Sequence, residues 1–126
     1  MKSTVALLAA TLLSGCVTTQ ERPAVEGPVG IGQTAYVDGP RVRPLRVVED
    51  SRCPMNARCV WAGRVVVRAA VITGLKTRTM DLMLGEPMRV ADGMLTLVSV
   101  TPDRMAGTQP TKREDYHFVF EFSGGL

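Results

Sequence analysis

The chain has 126 residues, a length that indicates one domain. It carries 15 Lys and Arg against 12 Asp and Glu, and one of the lysines, Lys2, lies in the first fifteen residues. The 14 basic residues that follow exceed the acidic ones by two, an excess too small to indicate nucleic acid binding. We therefore expect no nucleic acid among the partners.

The first residues have the pattern of a secretory signal peptide. Lys2 supplies a positive start, and residues 5–13, VALLAATLL, are apolar or small apart from one threonine. A membrane span needs about 20 such residues, so this shorter run favours a signal-peptide core. It ends in LSGC, residues 13–16, which resembles the lipobox of bacterial lipoproteins. The resemblance implies that residues 1–15 are cleaved and that Cys16 carries the lipid.

Several acyl chains on Cys16 would make a stable membrane anchor. Because Val17 and not Asp follows the cysteine, the sorting pattern of lipoproteins implies the outer membrane, with the domain facing the periplasm. Residues 17–33 contain two prolines and three glycines without a sustained period. We predict that residues 16–33 form the lipidated N-terminus and a flexible tether, and that residues 34–126 form the folded domain.

The rest of the chain has two-residue alternation broken by turn residues, which indicates strands. Residues 34–37 predict a short strand, and residues 41–49 predict another in which Pro44 requires an edge or a bulge. Residues 59–73 predict the longest strand. One face of it holds Trp61 and Gly63, and the other holds Arg64 and Arg68. Gly63 is expected at a bulge or a close backbone approach.

The second half of the chain continues this pattern. Residues 76–84 alternate, residues 91–93 read as a hairpin turn, and residues 116–122 place four aromatic side chains on one face. The long connection at residues 102–115 is either functional or disordered, and its sequence leaves both readings open. Six to seven strands joined by turns predict an all-β fold, either a small antiparallel β-sandwich or a partly open barrel.

The sequence offers few groups for metal or catalytic chemistry. Structural zinc needs four ligands, whereas the domain has Cys53, Cys59 and the distant His117. The methionines form no convincing copper cluster, and no nucleophile motif or phosphate-binding loop is present in the sequence. We expect no metal and no cofactor.

With Cys16 lipidated, Cys53 and Cys59 remain as an even pair in an oxidising compartment, which predicts a disulfide. Their five-residue spacing differs from the C-x-x-C of thiol oxidoreductases. Trp61 is predicted to pack under the disulfide, with a partner for its indole N–H.

Residues 50–63, within EDSRCPMNARCVWAG, resemble a motif of small, uncharacterised bacterial envelope lipoproteins. The motif is D-S-R-C-P, about four residues, C, an aliphatic residue and W-A-G. The resemblance implies an envelope location and a shared framework of Cys53–Cys59 and Trp61, and it implies no mechanism.

We therefore expect a membrane-anchored lipoprotein with a non-catalytic binding or structural β domain, whose partner is an envelope protein or an anionic glycan. Two alternatives stay open: a periplasmic enzyme that uses His117 with Glu121 or a loop acid, and a metal or redox sensor at Cys53 and Cys59. The candidate contact surfaces are the cysteine loop, the long loop, and a basic strip that faces anionic lipid or glycan. Their residues are Arg52, Met55, Asn56 and Arg58; Arg104, Lys112 and Arg113; and Arg41, Arg43, Arg64 and Arg68.

Overall fold

The computed structural model describes residue 15 and residues 24–124. Seven strands lie in this part of the chain: β1 (Ala35–Tyr36), β2 (Arg41–Asp50), β3 (Val65–Thr73), β4 (Lys76–Met83), β5 (Met88–Val90), β6 (Gly93–Thr101) and β7 (His117–Gly124). Strands β1-β2-β3-β4 form one antiparallel sheet and β5-β6-β7 form the other, and neither sheet closes into a barrel. The predicted all-β sandwich is confirmed. Among the described residues, no helix is long and apolar enough to cross a membrane.

The core lies between the inner faces of the two sheets. On β3, Val65, Val67, Ala69 and Val71 alternate with outward-facing neighbours and are buried. On the opposite sheet the alternation predicted for residues 116–122 is confirmed. Three of its aromatic side chains are buried, and Phe122 packs against the core. The hydrophobic effect on these alternating positions therefore sets which face of each strand points inward.

Pro44 lies at a break in the β2–β3 ladder. The register of β2 against β3 shifts between Pro44 and Arg46 and again between Val47 and Glu49. The carbonyl of Pro44 accepts a hydrogen bond from the Gly32 amide at 2.8 Å. A proline that lacks an N–H is tolerated at such a bulge, as the sequence predicted.

The domain begins earlier than the predicted boundary at Thr34. Val29 is fully buried, and its N–H and carbonyl bond to the backbone of Phe118 at 3.0 and 2.8 Å. The amide of Val25 likewise donates to the Thr34 carbonyl at 3.0 Å. Residues 25–33 therefore belong to the sandwich and not to a tether. Their glycines and prolines suggested a linker, because a single buried valine leaves no periodic signal in the sequence.

The long strand predicted for residues 59–73 is also wrong in its first part. β3 begins only at Val65, and residues 51–64 form an irregular loop between β2 and β3. We call these fourteen residues the stapled loop. Gly63 lies in the left-handed region at φ 66°. This backbone conformation interrupts an extended strand, so β3 starts only after Gly63.

Candidate functional site

The stapled loop is closed by a disulfide between Cys53 and Cys59, whose Cα atoms lie 5.8 Å apart. Inside the ring, the Ala57 amide donates to the Pro54 carbonyl at 3.1 Å, so the chain turns between the two cysteines. The predicted disulfide is confirmed as a covalent ring of seven residues.

Two of the three residues before this ring, Asp50 and Arg52, form a bidentate ion pair. Nε and Nη2 of Arg52 donate to Oδ1 and Oδ2 of Asp50, both at 2.9 Å. The two side chains keep only 16% and 9% of their surface exposed. A planar guanidinium matches a carboxylate in this geometry, so the pair holds the chain in one conformation as it enters the loop.

The same guanidinium reaches the opposite sheet. Nη1 and Nη2 of Arg52 donate to the carbonyls of Val100 and Pro102, each at 3.0 Å, where β6 ends. The hydroxyl of Tyr116 donates to Oδ2 of Asp50 at 2.9 Å. We call Asp50, Arg52 and Tyr116 the clamp, because together they join the end of β2 to the end of β6 and to the residue before β7.

The clamp shifts the pKa of each of its members. Burial opposes the charge on Asp50, but hydrogen bonds from Arg52 and Tyr116 and the positive charge of Arg52 outweigh it and lower the pKa of the carboxyl. The hydrogen bond from Arg52 to Asp50 raises the pKa of the guanidinium. Burial, and then the hydrogen bond to Asp50, raise the pKa of Tyr116. All three shifts favour ionised Asp50 and Arg52 beside a neutral Tyr116, an arrangement that serves the structure.

The loop after β6, residues 102–108, is bonded to the stapled loop. The Arg104 carbonyl accepts from the Met55 amide at 2.8 Å, and its Nη1 donates to the carbonyls of Arg52 and Asp50 at 2.8 and 3.2 Å. The side-chain amide of Asn56 makes two bonds with the backbone of Ala106, at 2.7 and 3.1 Å. Residues 51–64 and 102–108 together form the stapled pole. Arg52, Asn56 and Arg104 make hydrogen bonds within it, and Met55, Asn56 and Arg58 of the predicted cysteine-loop surface are exposed.

Trp61 does not pack under the disulfide as the sequence predicted. Its indole N–H donates to the Ser51 carbonyl at 3.3 Å, but 59% of its surface is exposed. The prediction assumed a strand through Trp61, whereas the strand starts four residues later at Val65. Gly63 lies at the expected close approach, because a Cβ there would overlap the Ser51 carbonyl and come within 2.9 Å of the Arg52 Cα.

Large apolar side chains are exposed on both loops of the stapled pole. Val60 is 99% exposed, and Met55, Trp61 and Met105 are more than two-fifths exposed. We call these four residues the apolar patch. The sequence indicated Met55, but it missed Val60 and Met105. The sequence placed Val60 in a strand. Met105 lies in a loop that is bonded to Asn56, 50 residues earlier in the chain than Ala106.

The predicted basic strip shares one face, but its charges are not equivalent. Arg64 Nε pairs with Glu49 at 2.7 Å, and Arg68 binds Asp81 at 2.9 and 3.2 Å. Among residues 24–124, Arg41 and Arg43 form no salt bridge, and Nε of Arg43 donates to the Thr34 hydroxyl at 3.2 Å. Of the four arginines of the strip, the two without a salt bridge are therefore those in the first residues of β2.

Of the acids considered as catalytic partners of His117, the loop acid Glu114 lines the same concavity, whereas Glu121 does not. His117 is exposed near Glu114. Glu121 lies four residues along the same strand, about 13 Å away. Glu121 instead lines a separate concavity of about 630 Å³ with Tyr36 and Phe120. Within the described ranges, no group of three His, Cys, Asp or Glu side chains could hold a metal ion.

The remaining predicted contact residues of the long loop, Lys112 and Arg113, lie outside the stapled pole. Lys112 and Arg113 are exposed, and Nη2 of Arg113 donates to the Leu45 carbonyl at 3.3 Å, so this segment borders β2. Cys16 and the signal-peptide prediction lie outside the described residues, and they stay expectations.

Opening the disulfide by the double substitution Cys53→Ala and Cys59→Ala should lower the free energy of unfolding by about 2 kcal/mol, because the seven-residue ring no longer restricts the unfolded chain. Urea unfolding of the purified full chain, followed by circular dichroism, measures this loss. As a control, alkylation of the wild type without reductant should leave Cys53 and Cys59 unmodified. Two reactive thiols in the untreated protein would contradict the disulfide.

No protein-family model, no curated protein and no solved structure matches this chain significantly. Inference about function therefore depends on the chain's own sequence and geometry. These combine a covalently closed and internally bonded pole, an exposed apolar patch on that pole, and unpaired arginines at the far end of the same sheet.

Proposed function

We propose that this chain is an outer-membrane lipoprotein whose β-sandwich is a non-catalytic module that binds another envelope protein through the stapled pole. The observation that carries the proposal is the apolar patch, which lies on two loops held together by a disulfide and hydrogen bonds. Exposed apolar side chains gathered on one region of a small domain are typical of interaction sites.

The chemistry of the stapled pole suits a protein interface. Aromatic residues, methionine and arginine are enriched in interface cores, and here Trp61, Met55 and Met105 occur beside the exposed Arg58. The disulfide and the clamp hold the two loops that carry these side chains before binding, so little loop ordering opposes association. A rigid loop that presents apolar anchors is therefore well suited to docking.

The position of the stapled pole favours a partner away from the anchoring membrane. Ala24 lines a concavity with Gly74 and Leu75, at the end of β3 opposite the stapled loop. The nine residue steps along β2 from Arg41 to Asp50 separate these two ends by about 30 Å. A lipid on Cys16 would therefore hold the opposite end of the domain and leave the apolar patch facing the periplasm.

The polar groups of the motif support a structural reading over a catalytic one. Both carboxylate oxygens of Asp50 accept hydrogen bonds from Arg52 and Tyr116, and Arg52 donates its remaining bonds to backbone carbonyls. None of these groups is left to act on a substrate. The two cysteines are joined to each other, which supports a staple over a thiol sensor.

Photo-crosslinking in cells tests the proposal. A photoreactive phenylalanine analogue at Val60 should give one discrete protein adduct in the outer-membrane fraction. The same analogue at Leu75, equally exposed at the other end of the sheet, should give none. Adding Met55→Asp and Met105→Asp to the Val60 variant should abolish the adduct, whereas Met94→Asp with Val98→Asp, two changes of the same charge on β6, should not. Equal adducts from both positions, or an adduct insensitive to the patch, would overturn the assignment.

A further inference from the structure

The end of the sandwich where Ala24 enters carries a second feature, which the stapled pole does not explain. A concavity of about 510 Å³ lies on the outer face of the first sheet. Its floor is formed by Ala70 and Ile72 on β3, and Arg41 and Arg43 rise along one side. The Leu75 hairpin tip stands on the other side. We call this feature the tether-end concavity.

The two arginines of this concavity are suited to share one anion. They alternate on one strand, so their Cα atoms lie about 7 Å apart and both side chains point to the same face. Guanidinium groups bind phosphate oxygens through paired N–H donors. No carboxylate among residues 24–124 neutralises either of them, in contrast to Arg64 and Arg68 on the same face. The hydroxyls of Thr34 and Thr77 line the same concavity.

The apolar part of the concavity indicates more than a bare anion. Ile72 and Ala70 are only half-buried, and Leu75 is fully exposed at the tip of the two-residue turn between β3 and β4. Nothing in the turn requires a leucine, because the left-handed position is taken by Gly74 at φ 59°. An arginine pair beside exposed aliphatic side chains complements a phosphate group that is attached to acyl chains.

The position of this concavity places it beside the anchoring bilayer. Ala24 lines it directly, and Cys16 precedes Ala24 by eight residues. Eight residues of chain span at most about 28 Å. If Cys16 is lipidated, as the proposed function holds, Ala24 and the concavity that it lines lie at most this far from the lipid headgroups. Each arginine or lysine near an anionic leaflet strengthens the association of a protein with that leaflet by about fivefold.

We propose that the tether-end concavity binds the phosphate headgroup of an anionic phospholipid in the leaflet that holds the Cys16 anchor, with Arg41 and Arg43 on the phosphate and Leu75 among the acyl chains. This inference rests on the proposed lipid anchor. It adds a specific second contact that orients the domain, so that the stapled pole faces away from the membrane.

The two lysines after residue 15, Lys76 and Lys112, provide a test in the full lipidated protein. Lys76 follows Leu75 at the rim of the concavity, whereas Lys112 lies near β7. The protein is bound to vesicles of phosphatidylcholine, alone or mixed with phosphatidylglycerol, and is briefly acetylated. Mass spectrometry should show that Lys76 reacts about fivefold more slowly on the anionic vesicles while Lys112 is unchanged.

Two double substitutions of equal charge decide whether the arginines are responsible. Arg41→Gln with Arg43→Gln should remove the protection of Lys76. Arg58→Gln with Arg89→Gln, on the stapled loop and on β5, should retain it. Equal labelling of Lys76 on both kinds of vesicle, or protection that survives the first double substitution, would overturn the proposal.

Other anions that would bind the same two arginines are tested separately. If free inorganic phosphate or a soluble anionic polysaccharide protects Lys76 and the anionic vesicles do not, the concavity is not a lipid site. Flotation with the neutral vesicles reports the anchor independently. A protein that fails to float with them contradicts the proposed lipidation, whereas one that floats without protection of Lys76 contradicts only the headgroup site.

Discussion

Replacing Gly63 with alanine should lower the free energy of unfolding by about 3 kcal/mol. Two costs add at this position. The backbone lies at φ 66°, where a residue with a Cβ is strained by about 1 kcal/mol or more. The new methyl would also overlap the Ser51 carbonyl and force the start of the stapled loop away from β3, and such overpacking costs about 1–3 kcal/mol. Urea unfolding of the full chain measures the sum.

Gly74 is the matched control for this prediction. It has nearly the same backbone conformation, at φ 59°, but no atom lies within 4 Å of the Cβ position. Gly74→Ala should therefore cost about 1 kcal/mol, the strain alone. Asparagine adopts the left-handed region more readily than alanine does. Gly74→Asn should be nearly neutral, whereas Gly63→Asn should stay strongly destabilising. Equal losses at the two glycines would show that close packing against Ser51 is not the cause.

The parts of the fold that the sequence predicted are those that local patterns determine. The alternation of Phe118 and Phe120 requires only that neighbouring residues on a strand face opposite sides. The hairpin at Ala91 and Asp92 follows from turn residues between two alternating runs. Fold class, most strand positions and the disulfide follow from such short-range signals.

The contacts that define the stapled pole could not be predicted in this way. Arg52 finds carbonyls 48 and 50 residues later, and Asp50 finds Tyr116 after 66 residues. Spacing along the chain carries no information about such pairs. The motif contains Asp50 and Arg52, but nothing in the sequence indicated that they pair or that their role is to join two sheets.

Strand register explains why only part of the basic strip remains a candidate binding surface. Alternation placed Arg68 on the outer face, and that is correct. Whether its charge is free depends on Asp81 lying directly opposite on β4, and this is a matter of register. Arg41 has no such acidic neighbour on β3, where Ile72 lies opposite. The difference between a neutralised and an available arginine therefore arises from tertiary pairing.

The substitution Asp50→Asn should lower the free energy of unfolding by about 3 kcal/mol at neutral pH. It leaves Arg52 largely buried without its carboxylate, and removal of one partner of a buried ion pair costs about 3–5 kcal/mol. The amide also turns a donor toward the guanidinium, which has only donors to offer. Some exposure of Arg52 places the expected loss at the lower end of this range.

Asp81→Asn separates burial from pairing. Asp81 binds Arg68 through both oxygens at 2.9 and 3.2 Å, nearly the geometry of the Asp50–Arg52 pair, but both side chains of this pair are well exposed. An exposed ion pair adds little to stability, because water and salt screen it. Asp81→Asn should therefore leave the unfolding transition almost unchanged. If the two substitutions cost the same, burial of the clamp is not what makes it strong.

The pH dependence of stability gives an independent measure of the clamp. The pKa of Asp50 is lowered in the folded state from the value of 3.8 expected for an unperturbed carboxyl, mainly because hydrogen bonds from Arg52 and Tyr116 outweigh the effect of burial. The folded state then prefers the ionised form, so its stabilising effect is complete above pH 3.8 and is lost as the pH falls through the lower folded-state pKa. The stability of the wild type should therefore fall more steeply with acid than that of Asp50→Asn, and the two curves should approach each other. Parallel curves would mean that the carboxylate of Asp50 contributes by shape and not by charge.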